Sequence, residues 1–477
     1  MFTFNKLTLI VAMAAAVLCS GCTDNVPGPV TTGKDTIAKT IYGKVQGYND
    51  DGIYTFKGIR YAKADRFMPP QYPDTFEGVQ KCQVYGPKAM QDQNVRWGNP
   101  TDYDFGFQFK IEFLSEDCQV LNVWTPALDG KKRPVFVWIH GGGYANGSAI
   151  FLPAQDGRAL AEKGDIVVVT VNHRLNILGY IDLTALGGKY SESVNLGQQD
   201  LVKALEWVHD NIAAFGGDPD CVTIGGQSGG GGKVSTLMAM PSAQGLFHRA
   251  IVQSGSTLRQ ADPLQSQELG LQVVKELGLT PETADQLATI PYEELVAAGN
   301  RASRVVRGGR FSPVVDGKIL VQHPFDPAAP ECSRDVPMLI GSNLNEFCYT
   351  NNVEFTVDER ARQGVIAQAS VKAAQGGAPA YVYHFEWQSD VNDGALAACH
   401  GMELPFMFNN VAVQREMTGG TKKAYKMADV VSSAWIEFIK TGNPNTKKLP
   451  QWEPFNAATE ATMVLDNKSH MSYKEQD

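Results

Sequence analysis

Ser228 lies in Gly226-Gln227-Ser228-Gly229-Gly230, behind Val222-Thr223-Ile224 and ahead of Lys233 to Met240, which reads as a helix. A serine at a strand-to-helix turn, with glycine on both sides, has the pattern of a nucleophile elbow. The tight turn leaves the hydroxyl exposed at the carboxyl end of a sheet, where it can attack an acyl carbon. With 47 glycines in the chain the pattern alone is weak, and the flanking strand and helix strengthen it. Such a hydroxyl needs a base, and the base needs an orienting acid. The chain order in this arrangement is serine, then Asp or Glu, then His. Of eight histidines, His323, His384, His400 and His470 lie well after Ser228, and the residues alone do not choose among them.

A second glycine cluster supplies the complementary chemistry. His140-Gly141-Gly142-Gly143-Tyr144 follows the apolar run Arg133 to Ile139. Backbone N–H groups in such a loop can turn toward the negative oxygen of a tetrahedral intermediate. A plain glycine turn is the bland alternative, and the loop's place upstream of the elbow argues against it.

These segments need a sheet to position them. Arg133 to Ile139 and Asp165 to Val171 are continuous apolar runs, as in parallel strands buried on both faces. Val222 to Gly226, Arg249 to Gln253, Pro337 to Gly341 and Ala380 to Phe385 continue the series, and Ile41 to Lys57 and Val120 to Trp124 read as early strands. Leu201, Leu205, Val208 and Ile212 form a helical stripe, and Asp429 to Thr441 is a late amphipathic helix. A chain of 477 residues suggests about three domains at ~150 residues each. The unbroken alternation of strands and helices favours one large α/β unit instead, over residues 40–477. A net charge of −9 argues against a nucleic-acid partner.

The N-terminus reads as an export signal: Lys6, the apolar run Leu7 to Leu18, then Ser20-Gly21-Cys22. Residues 1–22 read as a lipoprotein-type signal, expected to be cut ahead of Cys22 so that a lipidated Cys22 becomes the first residue, in the periplasm or at the cell surface; ordinary secretion is the alternative. Residues 23–39, rich in Pro, Gly and Thr, read as a tether. No other membrane contact and no protein partner is implied. Export permits disulfides. Cys82, Cys118, Cys221, Cys332, Cys348 and Cys399 follow Cys22 without C-x-x-C or zinc spacing, so no metal is expected.

The chain resembles the type-B carboxylesterase family, which includes cholinesterases and bacterial para-nitrobenzyl esterases. The resemblance runs over about residues 40 to 477. It is carried by Phe56-Lys-Gly-Ile-Arg-Tyr-Ala62, Arg66-Phe-Met-Pro-Pro-Gln71, Ser115-Glu-Asp-Cys-Gln-Val-Leu-Asn122, the His140 loop, and Trp207 to Pro219 leading into the elbow. It implies an α/β-hydrolase fold: a central, mostly parallel sheet flanked by helices, with a small N-terminal antiparallel sheet. Gly341-Ser-Asn-Leu-Asn-Glu346 matches the family's acid motif and His400-Gly-Met-Glu-Leu-Pro-Phe406 its base motif.

The implied triad is therefore Ser228, Glu346 and His400, with Gly142, Gly143 and Gly229 as oxyanion donors. The implied activity is hydrolysis of a small-molecule carboxylic ester through an acyl-enzyme, with no cofactor. The resemblance also implies a Cys82–Cys118 disulfide, an Arg66–Glu116 ion pair and a structural role for Glu403. Trp97, in the loop that disulfide would close, is expected to serve loop packing. Gln227 stands where the family commonly has Glu, which disfavours choline esters. The Glu346 to His400 interval is shorter than in cholinesterases, from which a more open gorge is expected. The alternatives are a non-catalytic cholinesterase-like binding module, and amide or thioester hydrolysis on the same triad.

Overall fold

In the computed structural model, residues 28–92, 100–110, 112–347 and 358–474 are described; the signal segment, Cys22, Trp97 and Cys348 lie outside them. The strands that position the site are β1 (Ile53–Arg60), β2 (Val120–Thr125), β3 (Arg133–Ile139), β4 (Val167–Val171), β5 (Gly217–Gln227), β6 (Arg249–Gln253), β7 (Met338–Asn343), β8 (Ala380–Phe385) and β9 (Thr462–Leu465). They form one sheet in the order β1-β2-β4-β3-β5-β6-β7-β8-β9, extended by short strands at Val30–Thr31, Tyr48–Asp50 and His470–Ser472. From β4 to β9 every neighbour is parallel, and β2 runs antiparallel to β1 and β4.

The apolar runs become central strands because both of their faces are covered. In β3, Val135, Val137 and Ile139 enter one core, and Phe136 and Trp138 the other. Helix α1 (Leu196–Asn211) packs Leu201, Leu205 and Val208 into the first core. Helix α3 (Lys422–Thr441) packs Val431, Trp435, Phe438 and Ile439 into the second. Thr421 opens α3 by accepting the N–H of Ala424 at 3.2 Å, and Gly442 closes it at φ +79°. That positive φ suits glycine and lets the Gly442 N–H reach the Phe438 carbonyl at 2.8 Å.

Three sequence expectations change. Residues read as tether belong in part to the folded body: Val30–Thr31 pairs with Asn49 and Asp50, and Ile37–Lys39 pairs with Lys44–Gln46. Buried Thr36 and Ala38 anchor that stretch. The small separate N-terminal sheet is mixed, because Lys44–Gln46 pairs in parallel with Val79–Lys81. The Cys82–Cys118 bond is not formed. Cys82 is a free thiol in the first core, while Cys118 is a free thiol against Ala89 and Leu175 in a separate cluster. Burial pushes the Cys82 thiol up to about 12, which keeps it protonated and inert.

Arg66 and Glu116 do pair: Arg66 Nε donates to Glu116 Oε2 at 2.8 Å, and the guanidinium also holds the Leu287 carbonyl at 3.1 Å. The pair thus ties the early loops to the helical layer.

Candidate active site

Strand order reverses at β3, which lies between β4 and β5 although it precedes both. Crevices for ligands open at the carboxyl ends of strands around such a point. In register, Ile139 faces Gly226 and Gln227 faces Gln253. The His140 loop and the Ser228 turn therefore leave adjacent strand ends at the same height.

Helix α2 (Gly229–Leu237) starts directly after Ser228, which sits at φ 59° and ψ −128°. A non-glycine residue held there stores about 1–3 kcal/mol of strain, and such strain gathers at functional sites. Two contacts sustain it. The Ser228 N–H donates to the Gln253 carbonyl at 2.7 Å, fixing the turn to β6. Gly230 lies so close to β3 that a Cβ on it would stand 2.1 Å from the Ile139 carbonyl oxygen. The glycine run thus lets α2 pack on the strand end and expose the serine.

The acid and base are brought together across β7 and β8. Asn343 ends β7, and its N–H donates to Glu346 Oε1 at 2.8 Å. Its side chain donates to the Cys399 carbonyl at 2.7 Å and to Glu403 Oε2 at 2.6 Å. The Asn345 N–H donates to the Ala398 carbonyl at 3.1 Å, and the His400 N–H to the Glu346 carbonyl at 2.5 Å. Both asparagines of the acid motif thus clamp the 398–403 segment onto β7. Glu403 also accepts from Gln253 Nε2 at 3.0 Å, and Gln253 accepts from Trp435 Nε1 at 3.1 Å. Glu403 is therefore a fully buried brace.

The clamp places His400 Nδ1 in a short hydrogen bond with Glu346 Oε2. Burial pulls the imidazole down, but the charge and hydrogen bond of Glu346 outweigh it and hold His400 above its ordinary 6.5. Burial pushes Glu346 up, and His400 together with the Asn343 N–H brings it below 4.5. Burial and the Glu346 charge both raise Glu403. Phe347 covers one face of His400, with ring centroids 4.4 Å apart.

The other ring nitrogen is engaged by a residue whose part in the site the sequence did not disclose. Gln227 Nε2 lies 3.1 Å from His400 Nε2. With the Nδ1 proton directed at Glu346, His400 Nε2 carries the lone pair, and the Gln227 amide donates into it. No hydrogen bond joins Ser228 Oγ to His400 in this state, although both line one cavity together with Gly142 and Gln227. The residue type at 227 was visible in the sequence; its contact with a residue so distant in the chain was not.

That cavity has a volume of about 50 Å³, with Phe107, Phe109, Phe151, Leu152 and Leu404 as its apolar wall. Phe109 stacks between the other two rings, at centroid distances of 6.0 and 5.7 Å. The open gorge expected from the short Glu346–His400 interval turns on residues 348–357, which lie outside the described ones. A larger cavity of about 510 Å³ lies against Ala145 and Asn146, lined by Asn176, Tyr292, Arg310 and Phe311.

Of the proposed oxyanion donors, Gly142 and Gly143 take φ +86° and +62°. The Gly142 carbonyl accepts from Ala145 at 3.3 Å and Asn146 at 3.0 Å, closing the loop as a turn. Gly229 faces Gly143 directly: a Cβ on Gly229 would come within 2.2 Å of the Gly143 carbonyl oxygen. The three glycines converge beside Ser228. His323, His384 and His470 are engaged elsewhere, His323 with the Gln260 N–H, His384 with Glu386 and His470 with the Lys468 carbonyl.

The model of the Carboxylesterase family matches residues 34–364 and 353–477. The chain is 32% identical to a para-nitrobenzyl esterase of Bacillus subtilis (strain 168), over 91% of this chain and 95% of that one. It is likewise 32% identical to a phenmedipham hydrolase of Pseudarthrobacter oxydans, with the same coverage. Among solved structures, an esterase from Clostridium hathewayi that can hydrolyze aliphatic aromatic polyesters superposes with a TM-score of 0.87 at 33% identity, covering 94% of this chain and 97% of that one.

Proposed function

Since the chain belongs to the carboxylesterase family and is a serine hydrolase of carboxylic esters, we infer that Ser228, Glu346 and His400 are its catalytic triad and Gly142, Gly143 and Gly229 its oxyanion donors. The observation that carries this reading is the His400–Glu346 bond on one side of the cavity that holds Ser228.

The chemistry follows. Glu346 keeps the proton of His400 on Nδ1. When Gln227 turns away, the Nε2 lone pair is free to take the Ser228 proton as Oγ attacks the ester carbon. The carbonyl oxygen becomes an oxyanion held by the three glycine N–H groups. His400 gives its proton to the leaving alcohol, and water repeats the sequence on the acyl-enzyme. Phe107, Phe109, Phe151, Leu152 and Leu404 offer the ester an apolar wall beside Ser228.

A fluorophosphonate tests the assignment: it should label the wild-type protein and leave Ser228→Ala unlabelled. Equal labelling of a folded Ser228→Ala protein places the nucleophile elsewhere.

The pH profile tests the base. Imidazolium cannot accept the serine proton, so kcat/KM should fall as pH drops through a midpoint above 6.5. In Gln227→Glu a carboxylate would face Nε2 and favour imidazolium, moving the midpoint up by about one pH unit. An identical midpoint in the two proteins would mean that residue 227 does not face the working base.

Cys22 is assigned as the lipidated first residue of an exported protein, supported by the apolar run before it and by Pro, Gly and Thr after it.

A further inference from the structure

Lys233 is a lysine on α2 with no exposed surface. Burying an ammonium costs several kcal/mol unless it is paired, and no carboxylate pairs with it among the described residues. The first turns of a helix also carry positive potential, which disfavours a cation. Burial pulls the amine down to about 7. The titratable groups that bear on it are His140 and His173, both fully buried and held neutral by burial and by Lys233 itself, together with Tyr144. Neither ring nitrogen of His173 has a partner among the described residues. On grounds of stability an apolar side chain would serve better here.

Its contacts explain why a lysine stands there. Lys233 Nζ donates to the His140 carbonyl at 3.1 Å. The same nitrogen lies 5.9 Å from the centre of the Tyr144 ring. His140 and Tyr144 are the two ends of the loop whose middle is Gly141, Gly142 and Gly143. The Tyr144 hydroxyl accepts from Gln260 Nε2 at 3.1 Å, and a Cβ on Gly232 would stand 2.8 Å from it, so the ring is fixed over α2. Glycines at positive φ have little intrinsic preference for one conformation, so the loop depends on what grips its ends.

We propose that Lys233 is a positioning residue for the oxyanion loop: its amine grips the His140 carbonyl and faces the Tyr144 ring, and so holds the Gly142 and Gly143 N–H groups toward the reacting oxygen. The proposal rests on the triad and oxyanion assignment above and adds a residue that never touches substrate. It acts on the charge that develops in the tetrahedral state, so it should govern kcat more than KM.

The experiment compares wild type with Lys233→Met, which keeps the length of the side chain and removes the amine. Active sites are counted by fluorophosphonate titration, so loss of folded protein does not count as loss of rate. An aryl acetate gives kcat and KM, and an aryl trifluoromethyl ketone, which adds to the serine and leaves an oxyanion on the loop, gives an inhibition constant. Per titrated site, kcat should fall roughly 10- to 100-fold and ketone affinity by a similar factor, with KM within about threefold and a thermal midpoint equal to or above that of wild type. Unchanged kcat and ketone affinity in a folded variant overturns the proposal, as does a loss confined to KM. If Lys233→Met does not fold, a crystal structure of the wild-type ketone adduct decides. Lys233 Nζ still bonded to the His140 carbonyl supports the proposal, and a broken contact overturns it. Failure of the wild type to label at all would instead sink the triad assignment, so the two failures are distinct.

Discussion

Replacing His400 with alanine should lower kcat by roughly 10⁴- to 10⁶-fold on an activated ester while leaving the fold in place. Among the described residues the site contains no substitute base. Gln227, which lies at the same nitrogen, is a neutral amide and cannot take a proton. Glu346 is almost fully buried behind the ring and is fixed by the Asn343 N–H. The other histidines beyond the elbow are engaged elsewhere. What remains is whatever the oxyanion donors and binding supply, about 10³- to 10⁴-fold over water.

The substitution also leaves a buried carboxylate without its imidazole partner. Glu346, now below its ordinary value because of His400, would rise as burial takes over. The sign follows from that change. The variant loses the stability that the Glu346–His400 bond gives while Glu346 is ionised, and the deficit closes as acid protonates Glu346. Rates per fluorophosphonate-competent or circular-dichroism-verified protein check the first part, and thermal midpoints at two pH values check the second. A rate within tenfold of wild type, about 1.4 kcal/mol of barrier, would remove His400 from the mechanism.

Legibility in the sequence followed the range of the interactions. Arg133–Ile139, Arg249–Gln253 and Ala380–Phe385 are strands at the bounds read from the chain, because a strand buried on both faces must be apolar throughout. The start of α3 was missed. Lys422, Lys423 and Lys426 are exposed on its first turns and mask the apolar stripe, so the helix reads as beginning at Asp429. The early strands near Val30 and Ile37 offer two or three residues each, too few for alternation to show.

The site divides along the same line. The Ser228 turn and the His140 loop are local chemistry, glycines where backbone must pass close to backbone. Glu346 and His400 were recognisable only through the family motifs. Their pairing depends on Asn343 and Asn345 reaching across to residues 398–403, and no local pattern marks that reach. Gln227 and Lys233 are harder still, since each is defined by a contact with a segment distant in the chain. A lysine inside an apolar helix start is a visible anomaly, and it is the one signal that could have pointed to Lys233.

Gly142→Ala should cost roughly 10²- to 10³-fold in kcat. Gly142 sits at φ +86°, where an L side chain is strained, and a Cβ there would lie 2.3 Å from the Asn146 carbonyl oxygen and 2.6 Å from its carbon. Those atoms are backbone, so the clash cannot be relieved by a rotamer. The turn from Gly142 to Asn146 must open, breaking the bonds by which the Gly142 carbonyl accepts from Ala145 and Asn146. The Gly142 and Gly143 N–H groups then rotate away from the oxyanion position. Lost donors act on the transition state, where the charge is, more than on the neutral ester. The fall should therefore appear in kcat, with weaker binding of a trifluoromethyl ketone and a KM changed by less than about threefold. The serine, imidazole and carboxylate are untouched, so the acid limb of the pH profile should keep its midpoint. A variant that kept full kcat would show that the oxyanion is held without this loop, and a displaced acid limb would show that the substitution had reached His400.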